Sequence, residues 1–234
     1  KKNGVDPDQI IRDYGADTLR LAQLQVKPPE EDVDWEDVGL EGCSRLLQRV
    51  WRLAVPGTDL VRDVRSGEPT SADVDVQRAT ARLIDGITAD FERWSYHTAV
   101  AKFMGFVNEL YRYVQANDGP HGEVLGTAVD TLLQLLAPAC PHVTAELWSR
   151  RHPGEHVHEL AWPTADPALL AVDTVEIPIQ VNGKVKARIS VAADLDAAGL
   201  ERAALAVPAI VELLGGEEPR KVIAVPGKTV NVVR

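Results

Sequence analysis

Residues Val175–Val191, VEIPIQVNGKVKARISV, limit the possible folds more than any other stretch. Val175, Ile177, Ile179 and Val181 alternate with Glu176, Pro178 and Gln180. Beyond Asn182-Gly183, Val185, Ala187, Ile189 and Val191 alternate with Lys186, Arg188 and Ser190. Two period-two runs flanking Asn-Gly predict a β-hairpin with one apolar face. Two rules then conflict over its register. Asn-Gly favours a two-residue loop, which pairs Val181 with Lys184 and Ile179 with Lys186. Directly paired residues share a face, so that register sets lysines among apolar side chains. A three-residue loop, Val181-Asn182-Gly183, avoids this: Gln180 faces Lys184, Ile179 faces Val185 and Ile177 faces Ala187, with Gly183 in the left-handed position of a bulged turn. The expectation is this register, or its neighbour with Asn182-Gly183-Lys184 as the loop. Lys184, Lys186 and Arg188 then share the face opposite the apolar one.

Everything before the hairpin reads as helix. Asp6-Pro7-Asp8 caps a first helix that carries Ile10, Ile11 and Tyr14 and ends at Gly15. Asp17 is expected to cap a second, stopped by Pro28-Pro29. A third runs from about Trp35 to Val55, with Leu40, Cys43, Leu47, Val50 and Ala54 at three- and four-residue spacing. Arg45, Arg49 and Arg52 form a basic stripe on it, with Glu41 and Asp37 toward its start, as exposed pairing and the helix dipole favour. Residues 58–72 read as loop. Three further helices follow, from Val74 to about Trp94, through Val100 to Val114, and from Val124 to Leu136, with a short one from Pro141 to about Ser149. Residues 1–151 therefore predict a helical bundle, of which 1–34 are connecting helices. Residues 152–173, with three prolines and little periodicity, read as a linker. In 174–234 the hairpin precedes a helix capped by Asp196, a second starting at Pro208 and ending at Gly215-Gly216, and strands Arg220–Val225 and Lys228–Val233. The fold class is mainly α: a helical bundle followed by a small α+β domain of order ββααββ.

The net charge of −10 argues against a broadly basic surface. Residues 174–234 hold eight Lys/Arg against seven acids, so the remaining 173 residues carry −11. Any polyanion contact is therefore local, and the hairpin is where it is expected. No run of eighteen apolar residues exists and KKNGVDP has no apolar segment behind its lysines, which argues against a membrane span and a signal peptide. Cys43 and Cys140 lie in or near helical patterns, which suits a reducing cytoplasm. There is no phosphate-binding glycine loop and no Gly-x-Ser-x-Gly. His152 and His156 have a His-x3-His spacing, but no Cys-x-x-Cys completes a zinc site, so they and His158 read as surface or interface histidines. No catalytic residue and no metal site emerges.

Several stretches resemble a known family. KKNGVDPDQIIRDYGADTLRL is similar to the segment that follows the Lys-Met-Ser-Lys-Ser loop of class I aminoacyl-tRNA synthetases. PPEEDVDWEDVGLEGCSRLLQRVWRL, LLQLLAPACPHVTAELW, VEIPIQVNGKVKARISVAAD and RKVIAVPGKTVNVV resemble successive parts of bacterial leucyl-tRNA synthetases. The absence of four tail cysteines and of heptads favours these over the isoleucine and valine enzymes. The family's His-x-Gly-His motif is missing; His152-Pro153-Gly154-Glu155-His156 only imitates it. The Met-Ser-Lys-Ser core is missing too, with Lys1 and Lys2 just beyond it at most. The resemblance implies an anticodon-binding-type helical domain plus a C-terminal domain, with the ATP and Mg site, the editing domain and the leucine pocket upstream.

What the resemblance implies is a role in holding tRNA(Leu) beside the rest of a cytoplasmic synthetase chain, with no DNA or membrane partner and no cofactor in these residues. Six leucine codons make anticodon reading a poor identity strategy, so backbone and shape contacts are expected, from Lys and Arg. The candidates are Lys184, Lys186, Arg188, Arg220, Lys221 and Lys228, together with Arg45, Arg49 and Arg52. Two alternatives stand beside this reading: a helical protein-interaction module, for which Trp51, Trp94, Tyr111 and Tyr113 would supply aromatics, and the equivalent region of another class I synthetase.

Overall fold

The computed structural model describes residues 4–28, 30–32, 34–35, 38–55, 57–61, 63–116, 118–171, 174–192, 195–215 and 219–233. Lys1, Lys2 and Asp37, and Pro29 and Gly216 of the helix stops expected at Pro28-Pro29 and Gly215-Gly216, lie outside the described residues. The chain forms two compact units, Lys1–Leu170 and Ala171–Arg234.

The first unit is helical: α1 (Pro7–Tyr14), α2 (Ala16–Gln25), α3 (Leu40–Ala54), α4 (Ser71–Glu92), α5 (Tyr96–Val114), α6 (Gly122–Leu136), α7 (Pro141–Arg151) and α8 (Pro167–Leu170). Helix α6 is the centre of the bundle. Leu132, Leu133, Leu135 and Leu136 fill its broad apolar face and all are fully buried, while Glu123 and Thr127 mark an exposed stripe on the opposite side. The helices around it bury one stripe each; on α3 that stripe is Cys43, Leu46, Leu47, Val50 and Leu53. Helix α3 begins at Leu40 rather than Trp35, because Gly39 supplies its N-cap. Helix α4 begins three residues earlier than its apolar period suggests. Thr70 and Asp73 form a capping box, with the Thr70 amide donating to Asp73 Oδ2 at 2.6 Å. Asp at the third position, instead of the usual Glu or Gln, hid that signal. Gly119 has φ +67, and a Cβ there would lie 2.3 Å from the Asp63 carbonyl, so no other residue fits this close approach.

Asp17 does not cap α2. Gly15 holds that position, and Asp17 sits in the first turn, 6% exposed, accepting the Val143 amide of α7 at 2.7 Å. Residues 152–170 are packed on the bundle. Val157 is 4% exposed, Trp162 Nε1 donates to Thr88 Oγ1 at 2.8 Å, and the Trp162 ring lies 5.7 Å from that of Phe91. Lack of periodicity here reflects a strap whose apolar residues are irregularly spaced.

The second unit is β1 (Thr174–Val181), β2 (Lys184–Ala192), α9 (Ala197–Leu205), α10 (Pro208–Leu214), β3 (Lys221–Val225) and β4 (Thr229–Val233), the ββααββ order expected. The strands form one sheet in the order β2-β1-β4-β3, with β1 and β4 parallel and the outer pairs antiparallel. Asp196 caps α9 by accepting the Gly199 amide at 2.7 Å, and Gly215, at φ +61, ends α10. Both helices pack on the face that carries Ile177, Ile179, Val230 and Val232, all fully buried with Leu200, Ala204 and Ile210.

The register argument for the hairpin is corrected at its tip. Asn182 has φ +48 and Gly183 φ +80, a two-residue left-handed turn, and Val181 pairs with Lys184. The conflict that pairing creates is removed one step further on. Gln180 pairs with Val185 but Ile179 pairs with Ala187, so Lys186 is an extra residue, a β-bulge. Beyond it Ile177 meets Ile189 and Val175 meets Val191, the pairing the Asn182-Gly183-Lys184 loop predicted. The turn keeps its preferred twist and the bulge restores the alternation. Two expectations fall with the three-residue loop. Lys184 shares a face with Val181, not with Lys186, and Val185 leaves the apolar face, where it is 53% exposed.

Candidate nucleic-acid interface

The helices of the second unit cover one face of its sheet; the cations lie on the other face and at its ends. Lys186 and Arg188 stand on the uncovered face of β2, where Arg188 meets Glu176 of β1 at 3.5 Å with both side chains 62% exposed. Such a pair is weak and leaves the guanidinium available. Lys221 pairs with Val233, so it points to the same face from β3. Strand order separates it from β2 by three spacings, roughly 14 Å. Because β4 runs parallel to β1, the residues next to Val232 lie at the hairpin tip: the Asn182 amide donates to the Val232 carbonyl at 2.9 Å and the Gly183 amide to Asn231 Oδ1 at 3.1 Å. Lys184, Arg220 and Lys221 therefore gather at that end. Lys228 does not. Thr229, its neighbour, donates to the Pro178 carbonyl at 3.1 Å, toward the opposite end.

The stripe on α3 is divided. Arg45 meets Glu41, at 3.7 Å and well exposed. The Arg49 guanidinium lies 4.2 Å from the Tyr111 ring centroid and donates to Asn108 Oδ1 at 2.6 Å, and Arg52 lies 5.7 Å from the same ring. Arg150 of α7 lies 5.0 Å over Trp51. Arg49 and Arg52 thus flank Tyr111, and Arg150 separately covers Trp51. Arg150 was missed by sequence reading, because only its (i, i+4) partner Glu146 is local. Arg52 also borders an open groove of about 910 Å³ beside α1, α2 and α7.

The most buried charge does not face solvent at all. Asp73 is fully buried and accepts from Arg65 Nη2 at 2.5 Å, from the Thr70 amide and hydroxyl, and from the Tyr113 hydroxyl. Burial alone would raise its carboxyl, but the hydrogen bonds from Arg65, Tyr113 and Thr70 outweigh that and hold it well below the usual carboxylate range. Burial and the bond to Asp73 push the Tyr113 phenol up to about 12. Tyr113 also accepts the His121 amide at 2.8 Å, and His121 caps α6. This node ties segment 63–70 to the start of α6; it is scaffold. Of the other histidines, His152 Nε2 lies 3.0 Å from Asp130 Oδ2 without hydrogen-bond alignment, and stacks on Trp148. Among the described residues no group of three His, Cys, Asp or Glu is placed to hold a metal, and no helix is long and apolar enough to cross a membrane.

Known proteins resemble this chain along its whole length. The leucine–tRNA ligase of Cereibacter sphaeroides is 42% identical over 233 residues, which is 100% of this chain and 26% of that protein. That of a Synechococcus is 39% identical over 248 residues, 100% of this chain and 28% of that protein. The chain thus spans about a quarter of the length of the curated relatives it matches. Among solved structures, the ternary complex of Agrobacterium radiobacter K84 agnB2 LeuRS with tRNA and LeuAMS matches with a TM-score of 0.80 and 27% identity, over 98% of this chain and 29% of that one. The family described as the anticodon-binding domain of tRNA ligase matches residues 75–202, from α4 into α9. The chain belongs to that family.

Proposed function

We propose that this chain is the tRNA-holding, C-terminal part of a leucine–tRNA ligase, gripping tRNA(Leu) while the remainder of the ligase joins leucine to it in the cytoplasm. The observation that carries the reading is similarity over all 234 residues to leucine–tRNA ligases. The local chemistry agrees with it. In a chain of net charge −10, Lys184, Lys186, Arg220 and Lys221 collect around one end of a small sheet, where they suit the phosphates of a folded RNA. ATP and Mg would serve the ligase outside these residues, and this chain alone is expected to give no leucine-dependent pyrophosphate exchange.

The test is filter binding of a tRNA(Leu) transcript to this chain across a salt series, with other tRNAs as competitors. Each phosphate contact contributes a slope of about −0.7 to −0.9 in log affinity against log salt. Replacing Lys186 and Arg188 together by Ala should weaken binding and flatten the slope by about one to two. Identical curves for the variant and the parent chain would remove the sheet from the interface. No binding by the parent chain at low salt would end the reading.

A further inference from the structure

The corner between α4 and α5 holds a tryptophan where a glycine belongs. The Trp94 amide donates to the Phe91 carbonyl at 3.2 Å and the Ser95 amide to the Asp90 carbonyl at 2.8 Å. These two bonds define a helix-ending motif whose residue after the cap is left-handed, the slot glycine usually takes. Trp94 fills it with φ +59. Among the described residues only Asn182 is another non-glycine with positive φ, and Asn is suited to its turn. A bulky residue in this slot is strained, and such strain gathers at ligand-binding positions. Trp94 gains little burial in return. It is 65% exposed, the most exposed large apolar side chain among the described residues.

Its surroundings give the exposed ring a chemical identity. Tyr96 meets it edge-on, with centroids 5.9 Å apart and planes at 63°, and Tyr96 is braced in turn by Phe91 at 5.4 Å. An edge-on neighbour occupies at most one indole face. Trp94 and Tyr96 border a recess of about 330 Å³ whose other walls are Arg20, Gln23, Leu24 and Lys27. Two cations and an amide line it, with no carboxylate, in a chain that is strongly acidic overall. The Arg20 guanidinium is already oriented, since Nε donates to the Ala139 carbonyl and Nη2 to the Pro138 carbonyl, both at 3.0 Å.

From this we infer that the α4–α5 corner is a stacking site for one unpaired RNA base, with Trp94 as the platform, the Gln23 amide beside the base edge and Lys27 and Arg20 near its phosphates. A flat π-face flanked by cations is how proteins hold single nucleotides out of a helix. Beyond the two rings, an apolar peptide would find only Leu24 to cover. The inference rests on the tRNA-holding reading and adds a base contact far from the phosphate-binding cations in sequence.

The experiment compares the parent chain with Trp94→Gly and Trp94→Phe, using the tRNA(Leu) transcript and a fully paired RNA duplex as probes. Glycine relieves the left-handed strain while removing the platform. Trp94→Gly should therefore melt at the same temperature or higher, yet bind tRNA about 5- to 150-fold more weakly, the range of one aromatic–base stack. Trp94→Phe should recover most of the affinity. The salt slope should not change, because no charge is removed, and duplex binding should be equal in all three chains. Unchanged tRNA affinity in Trp94→Gly overturns the inference and leaves the tRNA-holding reading standing; it would assign the corner to a protein contact or to none. An equal loss for tRNA and duplex, or a flattened slope, also overturns it. A parent chain that binds neither probe overturns both readings together.

Discussion

Replacing Asp73 by Asn tests whether the buried carboxylate is a keystone of the bundle. The side chain is fully buried and its two oxygens serve four donors, from Arg65, Thr70 and Tyr113. Asn keeps the shape and one acceptor, but it removes the charge and turns an N–H₂ toward donors. Breaking a buried charge pair costs about 3–5 kcal/mol. Arg65 keeps 24% of its side chain in water, so the lower end applies, about 3 kcal/mol. For a chain of this size that lowers Tm by about 6–12 °C. Thermal and urea unfolding followed by far-UV circular dichroism measure it. The pH dependence fixes the cause. The folded state holds this carboxyl below its unfolded value of about 3.9, so its stabilising effect is complete above about pH 5 and fades as pH falls below that. The gap between parent and Asp73→Asn should therefore shrink between pH 6 and pH 3. A gap under about 1 kcal/mol at pH 7, or one that persists undiminished at pH 3, would refute the reasoning.

Two further outcomes follow from the packing. Deleting Lys186 should leave Gln180 opposite Val185 and Ile179 opposite Ala187 and shift Tm by only a few degrees, whereas deleting Arg188 should set Lys186 opposite Ile179 on the covered face and unfold the second unit; amide exchange across β1 reads both, and equal protection in the two variants contradicts the bulge. Burial pushes the Cys43 thiol up to about 11 and raises the Cys140 thiol further, so iodoacetamide at pH 8 should modify neither until the bundle unfolds, and rapid labelling in native buffer counts against the packing.

Sequence shows what is decided within a few residues. The caps at Asp6 and Asp196, the existence of the hairpin, the α3 stripe and the ββααββ order are local, and periodicity or turn chemistry exposes them. Some errors were local, as at the hairpin tip, where a bulge reconciles the two competing rules, and others arose where a distant partner decides. Asp17 has the chemistry of a cap, yet its partner is an amide 126 positions away. Asp73 attracts no notice in the sequence, because its role depends on Tyr113, 40 residues on. The helix end near Trp94 was expected, but its left-handed backbone was not, because no glycine announces it. The same limit governs the candidate site. Side-chain parity puts Lys186 and Arg188 on one face, but only the parallel pairing of β4 with β1 brings Lys221 and Arg220 to the hairpin tip and sends Lys228 away.

The bulge at Lys186 also marks a place where chain length is free to vary. Inserting or deleting one residue in a regular strand inverts every side chain beyond it, so strands seldom tolerate such changes. Here the odd residue is already absorbed between Gln180 and Ile179, and the inner-face pairs on both sides hold their places with or without it. Homologous chains that lack this residue are expected to keep the same four-stranded sheet and to differ only in the single side chain displayed beside Arg188. For protein engineering, position 186 is accordingly the point on the sheet where a reporter group or a cross-linker is introduced with least disturbance to the covered face.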